Sequence, residues 1–171
     1  MREIKINSTD GSEIVLIATA KDYMRVSSTV DDNIITRMIT QARIWCENYI
    51  SRDIVAKTRT YYLPETNGIF DLPFGPVSSI TSVKSDDVDI AYTVLGLNSE
   101  SIELDGGYAD KVKIVYVTSG LNDELLQSAI MQLVSTYYDN RADFSYDQKS
   151  NVESIPTNVR DILNSYKAMY L

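Results

Sequence analysis

Hydrophobic and polar residues follow two different periods along this chain, helical towards both ends and strand-like in the middle. The most strongly patterned stretch is Asn122–Arg141, NDELLQSAIMQLVSTYYDNR. At about 100° per residue its apolar side chains cover nearly the whole circumference. Leu125, Leu126, Ala129, Ile130, Met131, Leu133, Val134, Tyr137 and Tyr138 leave a narrow polar wedge of Ser128, Gln132 and Ser135. A helix apolar on most sides has neighbours on most sides, so this stretch predicts the central helix of the fold. It is too short and too polar at its ends to span a bilayer. Asn122 is placed to cap it, with Asp123 and Glu124 on the positive end of its dipole.

A second helix is predicted from Asp31 to about Ser51. Ile34, Ile35, Met38, Ile39, Ala42, Trp45, Cys46, Tyr49 and Ile50 fall within an arc of roughly 160°. Arg37, Thr40, Arg43, Glu47 and Asn48 take the other side. Trp45 and Cys46 therefore read as core residues, while Ile44 projects from the polar side and is a candidate subunit contact. Thr19-Ala20-Lys21-Asp22 has the form of a capping box opening a short helix to Arg25. Near the C-terminus, Pro156 suits the first turn of a last helix reaching Leu171, with Val159, Ile162, Leu163, Tyr166 and Tyr170 on one side.

Between Ile54 and Gly120 the pattern changes to strands and turns. Thr58–Leu63 and Gly68–Leu72 flank Asn67-Gly68, a strong hairpin signal. Val77–Val83 reads as a strand with Val77, Ser79, Thr81 and Val83 on one face. An acidic turn, Ser85–Asp89, follows it, then short strands at Ala91–Val94 and Ile102–Leu104 and a turn at Asp105-Gly106-Gly107. Lys111–Thr118 is apolar on both faces in its second half and predicts a central strand. Met1–Ser12 alternates weakly at Ile4 and Ile6, which suits an arm or an edge strand. Strands inserted between helices give an α+β fold: a small helical bundle, two long helices plus the C-terminal one, carrying an inserted antiparallel sheet of short strands. The reading is one domain, 1–171, with an arm at 1–13, helices at 14–53, the β insertion at 54–120, the central helix at 121–141, a loop at 142–155 and the last helix at 156–171. That loop, ADFSYDQKSNVES from Ala142, has no periodicity and offers Phe144 and Tyr146 as its large apolar groups.

Composition narrows the chemistry. A chain of 171 residues is long enough for one well-buried core and short for two. A net charge of −8 argues against a sequence-independent grip on DNA, which needs surplus Lys and Arg. There is no histidine, so the commonest general base and metal ligand are absent. Cys46 is the lone cysteine, which rules out an internal disulfide. With no signal-peptide core near Met1, the expected compartment is the cytosol. Asp86, Asp87 and Asp89, with Asp105 and Asp110, could offer oxygen ligands to Ca²⁺ or Mg²⁺, but the spacing is not that of an EF-hand and a solvated hairpin tip explains the run as well. No phosphate loop or Ser–Lys arrangement is present. No catalytic residue, cofactor or metal site is assigned, and catalysis is the reading the residues favour least. Twelve tyrosines suit either strands or interfaces.

Six short runs, taken in order, match a known pattern. Ala20-Lys21-Asp22-Tyr23-Met24-Arg25-Val26 is similar to an "AK-x-x-(L/M)-R-V" start. The long helix from Asp31-Asp32 to Tyr49-Ile50 follows, ending in Ser51-Arg52. Leu72-Pro73-Phe74-Gly75-Pro76-Val77-Ser78-Ser79-Ile80 looks like "LP-x-x-P-(V/I)-x-x-(V/I)", and Val115-Tyr116-Val117-Thr118-Ser119-Gly120 like "V-x-Y-x-(A/S)-G". Ala129 through Tyr137-Tyr138-Asp139-Asn140-Arg141, and Ile155-Pro156 through Leu163 to Tyr166-Lys167, complete the set. The chain thus resembles, over about residues 14–170, the head–tail connector (adaptor) proteins of long-tailed phages, also called phage connector or DNA-packaging proteins. Two departures stand out: Asn122 where the family often has proline, and an unlike N-terminal arm.

The resemblance implies a structural virion protein. Its copies would form a dodecameric ring below the portal protein, extend the DNA channel and join the head to a head-closure (stopper) or tail neck protein. DNA would only pass through, and no membrane would be involved. Assembly would occur in the host cytoplasm, with the protein ending at the head–tail junction. The interface candidates are Ile44, Phe144, Tyr146, Tyr166 and Tyr170. The alternatives are another neck component, head-closure or tail-terminator, and a monomeric module binding a ligand or Ca²⁺/Mg²⁺ at the acidic turn.

Overall fold

In chain order the elements are β1 (Glu3–Thr9), α1 (Ile17–Met24), α2 (Asp32–Ile50), β2 (Lys57–Thr66), β3 (Ile69–Asp71), β4 (Val77–Ser85), β5 (Val88–Asp89), β6 (Tyr92–Leu95), β7 (Ser101–Leu104), β8 (Ala109–Thr118), α3 (Glu124–Asp139) and α4 (Thr157–Asn164). They belong to a computed structural model that describes residues 1–96, 99–140 and 157–168. This is the α+β class expected, with the strands antiparallel throughout both sheets. The chain divides into two compact units. One holds the strands, Met1–Ser12 and Ser51–Leu121; the other holds the helices, Glu13–Ile50 and Asn122–Leu171.

In the strand unit a five-stranded sheet runs β1-β2-β8-β4-β5, and a three-stranded sheet runs β3-β7-β6. Strand β8 lies in the middle of the larger sheet, as its two-sided apolar pattern predicts. Val112, Ile114 and Tyr116 of β8, Tyr61 and Leu63 of β2, and Val77 and Val83 of β4 form its core with Leu72, Ile102 and Leu104. The N-terminal segment is an edge strand, paired to β2 from Glu3↔Tyr62 to Thr9↔Lys57. All of its residues are exposed, Ile4 at 39% and Ile6 at 48%.

The ladders line up into five rows that cross four strands from β1 to β4. Three begin at Glu3, Ile4 and Lys5: Glu3–Tyr62–Lys113–Lys84, Ile4–Tyr61–Ile114–Val83 and Lys5–Thr60–Val115–Ser82. The others are Ile6–Arg59–Tyr116–Ile80 and Ser8–Thr58–Val117–Ser79; beyond them Thr9 pairs with Lys57, whose backbone N–H donates to Thr118 Oγ1, and Thr118 pairs with Val77. Register shifts interrupt the ladders between Ile6 and Ser8 in β1, and between Val77 and Ser79 and between Ile80 and Ser82 in β4.

Two expectations for the strands need correction. Asn67-Gly68 does not close a hairpin, because β2 pairs with β1 and β8 while β3 pairs with β7. Gly68 instead turns the chain between sheets at φ +104, where an added Cβ would sit 2.8 Å from the Gly107 carbonyl oxygen. Its own carbonyl accepts from the Leu104 N–H. The second correction concerns β4: Val77 and Val83 are buried but Ser79 and Thr81 are exposed, because the two shifts break the simple alternation. The acidic run does form a turn. Asp86 and Asp87 both adopt positive φ, 48° and 64°, as a two-residue hairpin loop with right-handed strand twist requires.

In the helical unit α3 packs on α1, α2 and α4. From Leu126 to Tyr138 no residue of α3 is exposed, which fits a central helix. Its core residues, Leu126, Ala129, Ile130, Leu133 and Val134, are buried, as are Ile35, Ile39, Ala42, Cys46 and Ile50 of α2 and Val159 and Leu163 of α4. Leu125 is 54% exposed in the first turn. The cap is Asp123, not Asn122: the Asp123 carboxylate accepts from the Leu125 N–H, while Asn122 accepts from the Gln127 side chain. Helix α1 starts at Ile17 with Leu16 as its cap, so Thr19 lies in its first turn and no capping box forms there. Arg25, in the left-handed region, ends it. Trp45 is half-buried and stacks on Tyr49 at 5.2 Å.

Candidate assembly surfaces

Each unit is pinned by a charged cluster that its hydrophobic pattern does not announce. In the strand unit Asp53 is completely buried and accepts four hydrogen bonds. Lys57 Nζ donates at 2.8 Å, Arg59 Nε and Nη2 each at 2.7 Å, and Thr118 Oγ1 at 2.8 Å. The Arg59 guanidinium also lies 3.9 Å above the Phe74 ring, a cation–π contact that covers its other face. Burial by itself would raise the Asp53 carboxyl. The hydrogen bonds from Arg59 and Lys57, and then their charges, outweigh it and hold the carboxyl below its ordinary value.

In the helical unit Arg43 and Glu47 are buried rather than solvated, a correction to the expected polar side of α2. They are 5% and 3% exposed. Arg43 donates through Nη1 to Glu47 at 2.7 Å and through Nε to Glu13 at 2.8 Å, and Thr40 donates to the other Glu13 oxygen. Burial works against the charge on Arg43, but the two carboxylates more than offset it and raise the guanidinium's pKa. The pairing i, i+4 of Arg43 with Glu47 is visible in sequence. That Glu13 closes the cluster from outside the helix is not.

Both clusters have structural geometry. Their polar atoms face one another. The Cys46 thiol is buried, and its burial, with the Glu47 charge behind it, pushes its pKa up to about 12. The acidic turn is taken up locally, with Asp86 paired to Lys111 at 2.8 Å. Among the described residues no group of three or more Asp, Glu, Cys or His side chains is placed to hold a metal ion. A groove of about 610 Å³ lies beside it, walled by Ile90, Ala91, Leu104 and Ala109 and rimmed by Asp86, Tyr108 and Asp110.

Of the interface candidates, Ile44 is 45% exposed on α2, where Thr36, Arg37, Thr40 and Gln41 join it along a shallow groove of about 380 Å³. Tyr166 is half-buried and donates its hydroxyl to Asp123, the cap of α3. Burial first, and that bond second, push the phenol up to about 12. Phe144, Tyr146 and Tyr170, and the loop from Ala142, lie outside the described residues. Among the described residues the larger sheet has two open edges, one in the segment expected as an arm or an edge strand and one that escaped the sequence reading. Strand β1 is one, and β4 is the other, because β5 pairs only with Lys84 and Ser85. Ser78, Ser79 and Thr81 are exposed along it.

No protein-family model matches the chain, and no curated protein matches its sequence. Solved structures do match. A chain in the neck of an empty gene transfer agent (GTA) particle, computed with C6 symmetry, is similar over 99% of this chain and 97% of its own, at a TM-score of 0.77 and 14% identity. The fold is that of a neck chain. A chain in the neck of the native GTA particle, computed with C12 symmetry, matches at TM-score 0.73 and 15% identity over 99% and 97% of the two chains. A chain of the native GTA virion matches at 0.73 and 14% over 98% and 96%. Nearly every element of this chain therefore has a counterpart in them. No helix among the described residues is long and apolar enough to cross a membrane.

Proposed function

We propose that this chain is a structural protein of a phage-type neck, a head–tail connector whose copies form a ring beneath the portal. The observation that carries the reading is the end-to-end structural match, covering 96–97% of chains from GTA necks and virion. Two of those necks were computed with C6 and C12 symmetry, which supports a ring of identical copies, dodecameric in the virion. The six ordered motifs support the same reading from sequence. The charged clusters fit it too, since their polar groups are spent on holding each unit rigid and none is left as a catalytic set. The protein acts as a scaffold rather than an enzyme. It takes no cofactor, and meets the portal on one side and a head-closure or tail neck protein on the other. A net charge of −8 suits a channel through which DNA passes without sticking. Assembly takes place in the host cytoplasm and the finished place is the head–tail junction.

The test is genetic. In the phage or prophage that carries the gene, its deletion should leave heads beside free, unjoined tails in electron micrographs of the induced lysate. Intact, infectious particles from the deletion would overturn the reading.

A further inference from the structure

A ring of identical copies needs two unlike surfaces on each copy, one to give and one to receive. The helical unit carries the first on α2. Ile34, Arg37, Gln41 and Ile44 fall within an arc of about 80° at 100° per residue, on the side of the helix away from buried Ile35, Ile39, Ala42 and Cys46. All four are exposed, Ile34 at 42% and Ile44 at 45%. Arg37 is the exposed basic residue of α2, because Arg43 is buried. The helix's own acids are spent elsewhere, Asp32 on Lys21 and Glu47 on Arg43. The outward stripe is therefore two isoleucines around a cation, in a chain whose net charge is −8.

The strand unit carries the second surface, the groove of about 610 Å³ beside the acidic turn. Its floor is apolar, made by Ile90, Leu104 and Ala109, and its rim holds Asp86 and Asp110. Lys111, the cation in its lining, is paired to Asp86 at 2.8 Å. Asp110 accepts from the Tyr108 hydroxyl, a neutral group, and lies directly opposite Glu65 where β2 pairs with β8. Both carboxylates are exposed. Like charges directly opposite destabilise a sheet, a cost that a cation from outside would remove.

The two surfaces are complementary in charge and in apolarity. Arg37 and Ile44 stand about 10 Å apart along α2. A groove of this volume lies in the range that takes a drug-sized ligand, so it has room for Ile44 on its floor while Arg37 reaches Asp110 and Glu65 at the rim. Every copy presents both halves, so a second copy supplies what the groove accepts.

We infer that copies of this chain join head to tail through these surfaces, the α2 stripe of one copy seated on the acid-rimmed groove of the next. The inference rests on the ring proposed above and adds which surfaces close it.

Exchanging the charges tests it. Arg37→Glu alone, or Asp110→Arg alone, should weaken self-association at least about tenfold, because like charges then face each other across the contact. Both substitutions in one chain should restore it, with circular dichroism spectra unchanged throughout. Sedimentation of concentrated protein reads the association, and complementation of the gene deletion reads it as heads joined to tails. Ile44→Cys with Ala91→Cys should also give, on mild oxidation of assembled necks, a ladder of covalent multimers on a non-reducing gel. A mixture of the two single cysteine variants should stop at dimers. Dimers from Ile44→Cys alone would mean that α2 pairs with α2 and would overturn the inference. Loss of joining with Asp110→Arg but not with Arg37→Glu would mean that the groove takes a basic segment of another neck protein, and would overturn it as well. Rings seen by electron microscopy with neither the rescue nor the ladder would overturn this contact and leave the ring standing. Protein that stays monomeric by native mass in every condition, necks included, would overturn both.

Discussion

Replacing Asp53 with asparagine should unfold the strand unit far more readily than any substitution on its surface. The carboxylate receives four hydrogen bonds from Lys57, Arg59 and Thr118 at 2.7–2.8 Å. Asparagine keeps the shape but offers one acceptor oxygen and turns an NH₂ group towards the same donors. Lys57 and Arg59, 3% and 4% exposed, would lose the charge that balances them in the interior. Breaking a buried ion pair from one side costs about 3–5 kcal/mol, a large part of the roughly 5–15 kcal/mol that holds a domain together. In a chain of this length 1 kcal/mol moves the melt by about 2–4 °C, so the midpoint should fall by roughly 10 °C. Thermal melts and urea titrations measure the loss, and hydrogen exchange at β2 and β8 localises it.

The pH dependence provides a second reading of the same site. The folded Asp53 carboxyl lies below its ordinary value, so the folded chain gives up this proton more readily than the unfolded one. Its contribution is then complete at neutral pH and is lost as the pH falls from about 4 through the folded value. Asp53→Asn should remove that acid-sensitive part and leave a flatter stability curve below about pH 4. A loss under about 1 kcal/mol, the scale of an exposed pair, would refute the argument that these charges are dry. So would an unchanged acid limb.

Arg43→Met should cost about 3 kcal/mol by denaturant titration, since buried Glu47 loses its nearest cation, while Arg43→Met with Glu47→Leu should recover most of it. Cys46 should resist a thiol reagent in the folded chain and react promptly in denaturant, because its pKa of about 12 leaves almost no thiolate at neutral pH; rapid labelling of folded protein would contradict its burial. Tyr166 should keep its proton up to about 12, against about 10 in the unfolded chain. What it adds to stability is therefore complete below about pH 10 and is lost as the pH rises through its folded value. Tyr166→Phe should delete one late-titrating phenol from the phenolate absorbance curve, and no change in that curve would refute the contact with Asp123.

How much of this was legible in the sequence depends on how local each cause is. The near-complete apolar surface of α3, the two-sided apolar second half of β8 and the Asp86-Asp87 turn each carry their explanation within a few neighbours, and each is where the pattern puts it. Asn67-Gly68 has the same kind of local signal and misleads. Its hairpin loses because β2 finds longer partners far away, in β1 and β8, and because Gly68 serves a turn that only the approach of Gly107 explains. Arg43 and Glu47 mislead for the same reason. On a helical wheel they belong to solvent, and only Glu13, which the fold brings to Arg43 across 30 positions, makes their burial tolerable. Ile44, beside them, stays exposed as its position on the wheel requires. The sheet edges are the most distant case. Nothing within VSSITSVKS marks it as lying next to an edge, because its place in the sheet is decided by β8, more than twenty positions away, and by a β5 short enough to pair only with Lys84 and Ser85. A strand's own residues state that it can pair, and only the lengths of its partners state how much of it is left unpaired.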